Sequence, residues 1–248
     1  MAIPIKSKTE IEKMRRACFI IAETLKMLET MIVPNITTNE LDSACEEFLQ
    51  SKGAVASFKN YRGYPKSICA SVNNEVIHGI PGIRKLISGD IVSIDIGAFI
   101  DGFHADAART FGVGEISEEA NRLMAVTRES FFAGCEFAKK REHLHQIGAA
   151  IEDFVNQHGY SVVREFVGHG IGRDLHEEPA IPNYRQKKKG ARLMPGMTLA
   201  IEPMVCIGNG AIKVLKDKWT VVTADGSLSA HYENTVLITD AQCEILTL

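Results

Sequence analysis

Near the start of the chain, apolar residues fall at Ile11, Met14, Cys18, Ile21, Leu25, Leu28 and Ile32. These alternating steps of three and four put them on one face of a helix of about six turns. Ser7 and Glu10 precede it as a capping pair, in which each side chain satisfies the other residue's free backbone N–H. Thr37 and Glu40 repeat the signature ahead of a second apolar stripe at Leu41, Ala44, Cys45, Phe48 and Leu49, and Gly53 supplies a C-terminal cap. Further on the period becomes that of strands, expected at 67–72, 91–100 and 103–110. The last two flank Asp101-Gly102, a pair that favours a two-residue hairpin because both residues accept positive φ. Helices are expected at 117–138 and 143–158, and strands near 161–166, 197–207, 219–224 and 229–239.

The chain also resembles itself. At an offset of 106, Leu41, Ala44, Cys45, Phe48, Leu49 and Gly53 match Ile147, Ala150, Ile151, Phe154, Val155 and Gly159. Any two amphipathic helices share some of this. More informative is the match of 89–95 with 196–202, at an offset of 107, because it sets a carboxylate (Asp95, Glu202) on an apolar strand in both halves. The expectation is an α+β architecture of two αβ halves related by a pseudo-twofold axis, with acidic residues meeting between them.

Composition narrows the functional classes. The 248 residues carry a net charge of −3 and are 45% hydrophobic, enough for a sizeable core in one large domain or two small ones. That balance argues against specific DNA binding or an anionic membrane surface. No apolar run approaches the roughly 18 residues of a membrane span, and the opening residues lack the apolar stretch of a signal peptide, so a cytoplasmic protein is expected. The six cysteines contain no CxxC, so any metal would be held by histidines and carboxylates.

Asp95 interrupts a run that reads as a buried strand, where an unpaired carboxylate costs several kcal/mol. With Asp101-Gly102 as the loop, Ile100 faces Phe103 and Gly97 faces Asp106. Asp95 and Asp106 then become diagonal neighbours with Cβ atoms about 6–8 Å apart, and Gly97 is expected to leave open space opposite Asp106. Two such carboxylates can bracket divalent ions about 3.5–4 Å apart, or else pair with Arg or Lys. Taken singly, Glu233 reads as a solvated strand residue and His169 as a turn residue between small neighbours that let a ligand approach. Together with Asp95, Asp106 and Glu202 they make an oxygen-rich set that suits Mn, Fe or Co and tolerates Zn. Four negative charges balance two divalent ions, and a bridging hydroxide leaves a surplus of one negative charge that suits a free α-ammonium, which favours an aminopeptidase.

Several motifs carry a wider likeness: Tyr61-Arg62-Gly63-Tyr64-Pro65-Lys66-Ser67, Asn73-Asn74-Glu75-Val76-Ile77-His78-Gly79, Asp101-Gly102-Phe103-His104-Ala105-Asp106, Gly168-His169-Gly170-Ile171-Gly172, His176-Glu177-Glu178-Pro179 and Ile201-Glu202-Pro203-Met204. Over nearly the whole chain the sequence resembles the type I methionine aminopeptidase family. The resemblance implies the pita-bread fold, a curved and mainly antiparallel sheet covered by helices, as one catalytic domain over 1–248 with halves near 10–115 and 116–248. It implies a cytoplasmic, monomeric hydrolase that removes the initiator methionine from nascent chains whose second residue is small, through a hydroxide held by two divalent ions (Co, Mn, Fe, Zn or Ni). By the same resemblance Asp95 would bind one metal and His169 the other, Asp106 and Glu233 would bridge them, and Glu202 would bind metal and carry protons. His78 and His176 would face the substrate, and Tyr61, Tyr64, Cys69 and Trp219 would line the methionine pocket.

The chain departs from the family pattern at Val33-Pro34-Asn35 and Lys139-Lys140-Arg141, which replace turns, and at Arg62 and Leu175, which flank the pocket and bear on its shape. The remaining histidines (104, 143, 145, 158 and 231) are expected to be structural or solvated, with His104 placed to reach behind the metal ligands. The basic stretch 185–192 reads as a solvated loop, or as a weak contact to ribosomal phosphates suggested by the family's role. Three rival readings are an X-Pro peptidase of the same fold, which usually carries a further N-terminal domain, a non-catalytic peptide-binding relative, and a two-metal phosphoesterase, which needs basic residues that the motif strands lack.

Overall fold

The computed structural model describes residues 3–248. The first half holds α1 (Lys8–Met31), α2 (Thr38–Ser51), β1 (Val55–Ala56), β2 (Ile68–Val72), β3 (Glu75–Ile77), β4 (Ile91–Ile100) and β5 (Phe103–Gly112). The second begins with α3 (Glu118–Cys135), α4 (Leu144–Gln157), β6 (Ser161–Val162), β7 (Gly168–Gly170) and β8 (Glu177–Ile181). It continues with β9 (Thr198–Ile201), β10 (Met204–Cys206), β11 (Ile212–Val214), β12 (Val221–Thr223), β13 (Ser229–His231), β14 (Asn234–Leu237) and β15 (Glu244–Ile245).

Both capping pairs form as expected. The Ser7 backbone N–H donates to Glu10 at 2.9 Å, and the Thr37 N–H donates to Glu40 at 2.8 Å. The apolar stripes of α1 and α2 then cover the sheet in which β4 pairs with β1 and β2 on one edge and β5 on the other, burying Ile21, Leu25, Leu41, Leu49, Ile94 and Ile96. The β4–β5 hairpin turns at Asp101 (φ 55°) and Gly102 (φ 83°), in the register Ile100↔Phe103 and Gly97↔Asp106. In the other half α3 and α4 cover the sheet ordered β15-β14-β9-β7-β8, all antiparallel pairs, over a core that includes Phe131, Ile147, Ile151 and Leu199.

Backbone features recur at the spacing of the internal match. Asn35 (φ 77°) has its counterpart in Arg141 (φ 79°), and Gly89 (φ 100°) in Gly196 (φ 90°). The isolated bridge Thr37↔Lys85 likewise corresponds to His143↔Arg192. The halves meet where β5 runs beside the segment joining β13 to β14. Ala108 and Glu233 exchange backbone hydrogen bonds (3.3 and 3.0 Å), and the Thr235 hydroxyl accepts from Asp106 N–H while donating to Asp106 C=O (3.0 and 2.9 Å).

Some expectations fail for identifiable reasons. The strand foreseen at 197–207 is two strands broken at Glu202-Pro203, since Pro203 has no N–H to continue a ladder. The one at 229–239 breaks at Tyr232-Glu233, whose Tyr232 N–H instead donates to Pro203 C=O. The third starts at Val221 because the Asp217 carboxylate captures the N–H groups of Trp219 and Thr220, both at 2.9 Å, in a turn. The strand foreseen at 161–166 stops at Val162. Gly97 does not open space opposite Asp106: a Cβ there would lie 2.7 Å from both Ser57 and the Phe58 ring, which already occupy that face. Nor do the glycines around His169 admit a ligand. A Cβ on Gly168 would sit 2.3 Å from Ala200 O, and one on Gly170 2.2 Å from Glu178 O, so these glycines let β7 lie close between β8 and β9.

Candidate metal and peptide site

Each half delivers part of one acidic cluster. β4 and β5 carry Asp95 and Asp106, β7 carries His169, and the two strand breaks present Glu202 and Glu233. The Asp106 and Glu233 residues are buried, 4% and 2% exposed. Asp95 Oδ1, Asp106 Oδ1, Glu233 Oε1 and His231 Nε2 are buried without any hydrogen-bond partner. His169 Nε2 lies 4.0 Å from Asp106 Oδ2 and 3.7 Å from Glu202 Oε1, and His231 Nε2 lies 3.8 Å from both Glu202 Oε2 and Glu233 Oε2. These separations are too long for hydrogen bonds but suit ligand atoms that share an ion at about 2.0–2.2 Å. Two groups gather ligand atoms within 4.8 Å: Asp95, His231 and Glu233, and Asp106, His169 and Glu233.

The alternative, a salt bridge, does not hold. Among the described residues, no Lys or Arg pairs with these four carboxylates. Arg109, the nearby cation, spends its guanidinium on three backbone carbonyls and one side-chain amide behind the site, donating to Ala108 O (2.8 Å), Glu233 O (2.5 Å), Asn234 Oδ1 (2.6 Å) and Thr247 O (3.2 Å). Burial pushes the Asp95 carboxyl up to about 7. Burial, then repulsion from Asp95 and from one another, raises Asp106, Glu202 and Glu233 well above the carboxylate range. His169 and His231 are pushed down to about 3, chiefly by burial, and are therefore neutral imidazoles. The Nδ1–H of His169 donates to Gly170 O at 2.9 Å, which leaves the Nε2 lone pair facing the carboxylates. Four carboxylates that cannot all ionise unaided, beside two imidazole lone pairs, are a donor set fitted to divalent cations.

All eleven residues nominated from sequence line one cavity: Tyr61, Tyr64, Cys69, His78, Asp95, Asp106, His169, His176, Glu202, Trp219 and Glu233. Its apolar end is rigid. Tyr64 donates its hydroxyl to Ile68 O (2.9 Å) and Gly79 O (3.0 Å) and meets the Trp219 ring edge-on at 5.1 Å. At the other end Tyr61 stacks on His176 at 5.2 Å and hydrogen-bonds its Nδ1 at 2.9 Å, and the His176 ring lies 4.2 Å from that of His169. His78 holds a left-handed backbone (φ 59°), costly for a non-glycine residue and common where a side chain is aimed at a site. Burial lowers both His78 and His176 to about 4, with Arg62 adding to the effect on His176. Arg62 and Leu175, the two departures from the family pattern, also line this cavity.

His231 was expected to be structural or solvated; instead it is 2% exposed with Nε2 facing Glu202 and Glu233. The signal was its place two residues before Glu233 at a strand end. His104 pairs its Nδ1 with Ser57 Oγ at 2.8 Å, and among the described residues no hydrogen bond joins it to Asp95, Asp106, His169, Glu202 or Glu233. His143, His145 and His158 bond to the carbonyls of Gly190, Lys189 and Phe154, which are structural roles. Lys187, Lys188 and Lys189 are exposed.

Residues 12–240 match the profile of metallopeptidase family M24. The chain is 56% identical to a methionine aminopeptidase of Clostridium perfringens over 99% of both chains. A crystal structure of methionine aminopeptidase from Rickettsia prowazekii superposes over 100% of both chains with a TM-score of 0.98 at 42% identity. A Pyrococcus furiosus prolidase shares the fold, with a TM-score of 0.81 at 24% identity over 98% of this chain and 65% of its own length. The chain belongs to metallopeptidase family M24, among its methionine aminopeptidases, and has their pita-bread fold.

Proposed function

We propose that this chain removes the N-terminal methionine from polypeptides with a small second residue, using two divalent ions held by Asp95, Asp106, His169, Glu202 and Glu233. The observation that carries the reading is the cluster of buried carboxylate oxygens without partners, set beside a rigid pocket of Tyr64, Cys69 and Trp219. Asp95 and His169 fall in different ligand groups, which supports their holding different ions, and Glu233 belongs to both groups; Asp106 lies with His169 and Glu233, and its sharing between two ions would follow the family pattern. When bound, such ions supply a nucleophilic water acidified to near neutrality and a Lewis acid for the scissile carbonyl. Mn, Fe, Co, Ni and Zn all suit the donor set.

The chain's own residues do the rest. Glu202 holds the proton taken from the nucleophile on a carboxylate oxygen and hands it to the leaving amine. His78 and His176, neutral near pH 7, add no positive charge beside the cations, and the Nδ1 contact of His176 with Tyr61 leaves Nε2 free to face the scissile amide. The four carboxylates balance two divalent charges, so a substrate α-ammonium is not repelled. Tyr64, fixed by two hydrogen bonds, offers a flat wall to an unbranched thioether, with the Cys69 sulfur beside it. Among the described residues, no helix is long and apolar enough to cross a membrane. The same reading makes 1–248 one catalytic unit, monomeric and cytoplasmic, acting on nascent N-termini, with the exposed Lys187 to Lys189 stretch available for a weak contact to ribosomal phosphates.

The test is turnover of Met-Ala-Gly against X-Pro and phosphoester substrates, by chelator-stripped protein and by protein reloaded with each metal. Met-Ala-Gly hydrolysis should vanish on stripping and return with about two equivalents of ion. Metal-independent turnover, or preference for X-Pro, would overturn the proposal.

A further inference from the structure

Cys135 ends α3 and Cys243 immediately precedes β15, 108 residues later in the chain. Cys243 Sγ lies 3.7 Å from the Cys135 carbonyl oxygen, and Cys243 packs against the same apolar cluster that holds Cys135. Cys135 is buried, whereas Cys243 is half-buried and is the more accessible of the two. Cys18, Cys45, Cys69 and Cys206 are all buried. The neighbouring Cys135 thiol holds the Cys243 thiol below its ordinary range, which favours the thiolate at the more accessible member of the pair. The proposed peptide hydrolysis uses neither cysteine.

We propose that Cys135 and Cys243 form an oxidative modification site that hydroperoxides convert to a disulfide. The Cys243 thiolate attacks one peroxide oxygen; the O–O bond breaks, the sulfur is oxidised by two electrons to a sulfenic acid, and the other oxygen leaves as an alkoxide that takes up a proton. Cys135 loses its proton to solvent and attacks the sulfenic sulfur, forming the S–S bond and expelling hydroxide, which that proton neutralises. In sum, two thiols and one hydroperoxide give one disulfide, one alcohol and one water.

The bond would staple the C-terminal strand to α3. β15 pairs with β14 (Val236↔Ile245, Leu237↔Glu244), and β14 directly follows Glu233. α3 packs on β13, which carries His231. The cross-link therefore spans both neighbours of the Glu233 segment, and closing so long a loop restricts the unfolded chain. Oxidation should raise Tm by about 5–15 °C.

The test treats the folded holoenzyme with hydrogen peroxide, alkylates free thiols and measures intact mass, peptide linkage and Tm, readouts that do not depend on turnover or on the metal's own oxidation. The expected result is loss of two hydrogens, a cross-linked peptide pair carrying Cys135 and Cys243, a higher Tm, and reversal of all three by a thiol reductant. In C135S, Cys243 should stop as a sulfenic acid trapped by dimedone; in C243S, Cys135 should stay reduced at doses that convert the wild type. Sulfinic or sulfonic acid at Cys243 without cross-linking, a bond to another cysteine, or no oxidation until the protein unfolds would overturn the proposal.

Discussion

Replacing Arg109 with methionine should loosen the metal site without touching any ligand side chain. Methionine keeps the length of the stem but donates nothing, so Ala108 O, Glu233 O, Asn234 Oδ1 and Thr247 O each lose a charged donor. Three of the four keep another partner: Ala108 O accepts from Glu233 N–H, Glu233 O from Ala108 N–H, and Asn234 Oδ1 from the Thr247 hydroxyl. A hydrogen bond to a charged group contributes about 1.5–3 kcal/mol, and the guanidinium over the Tyr232 ring adds about 1 kcal/mol. Against this, removing a largely buried charge relieves its desolvation, which already lowers the pKa of Arg109. With retained partners and that relief counted, the net loss should be about 2–4 kcal/mol, a fall in Tm of about 5–15 °C for a chain of this size. The Glu233 backbone would then be free to shift, and metal affinity should fall about 10–100-fold, while kcat at saturating metal stays within about threefold. Thermal unfolding in chelator and calorimetric titration with Mn(II) measure the two effects separately. If Tm and metal affinity both stay at wild-type values, Arg109 does not brace the site and the reasoning fails.

Asp106→Ala should abolish turnover while the protein remains folded, because a ligand shared by two ions is lost; residual activity above about a tenth of wild type, under about 1.4 kcal/mol of barrier, would sink the two-ion reading. Glu202→Gln should still bind metal through its amide oxygen yet lose most turnover, and equal loss of both would reduce Glu202 to a ligand alone. In a Met-x-Gly library, kcat/KM should be high for Gly, Ala and Ser at x and low for Lys, Leu and Phe, with norleucine tolerated in place of methionine; equal cleavage before Ala and Phe would remove the crowding argument. For pH, burial holds His78 near 4 in the folded protein, while the unfolded chain protonates it near 6.5. Its contribution to stability is therefore complete above about pH 6.5 and lost as pH falls toward 4. His78→Asn, measured in chelator so that carboxylate protonation is common to both proteins, should show a smaller Tm drop between pH 7 and 5 than wild type, and an unchanged drop would contradict the assigned burial.

What could be read in the sequence was local. The register that puts Gly97 opposite Asp106 follows from one Asp-Gly pair and the two-residue period of strands, and the capping pairs at Ser7 and Thr37 need only three residues each. Asp95 and Glu202 were visible because each breaks an apolar pattern that folding alone would have kept apolar, and such violations mark sites where chemistry outweighs stability, whereas Glu233 alone reads as a solvated strand residue and entered only with the set. What escaped was set by contacts between distant segments. The space over Gly97 is filled by Phe58, and the room beside Gly168 is taken by the carbonyl of Ala200, neither of which a strand's own pattern can show. His231 was passed over for the same reason, since a histidine on a strand becomes a site residue only when the break at Glu202 is brought against it.

Those breaks have a common physical origin. A strand that continued through Glu202 or Glu233 would alternate their side chains with its neighbours and bury each carboxylate against a single sheet face. Ending β9 at Ile201, ahead of Glu202-Pro203, and β13 at His231 frees both glutamates to turn toward the seam, and the Tyr232 N–H to Pro203 C=O bond ties one break to the other. The same seam carries the Ala108–Glu233 exchange and the Thr235 bonds to Asp106, so the hydrogen bonds that join the two halves are also those that position Asp106 and Glu233. Stability at this interface and geometry at the metal site are therefore the same interactions. A substitution at Thr235, which touches no ion, should accordingly affect metal affinity through Asp106 before it affects either half's own core.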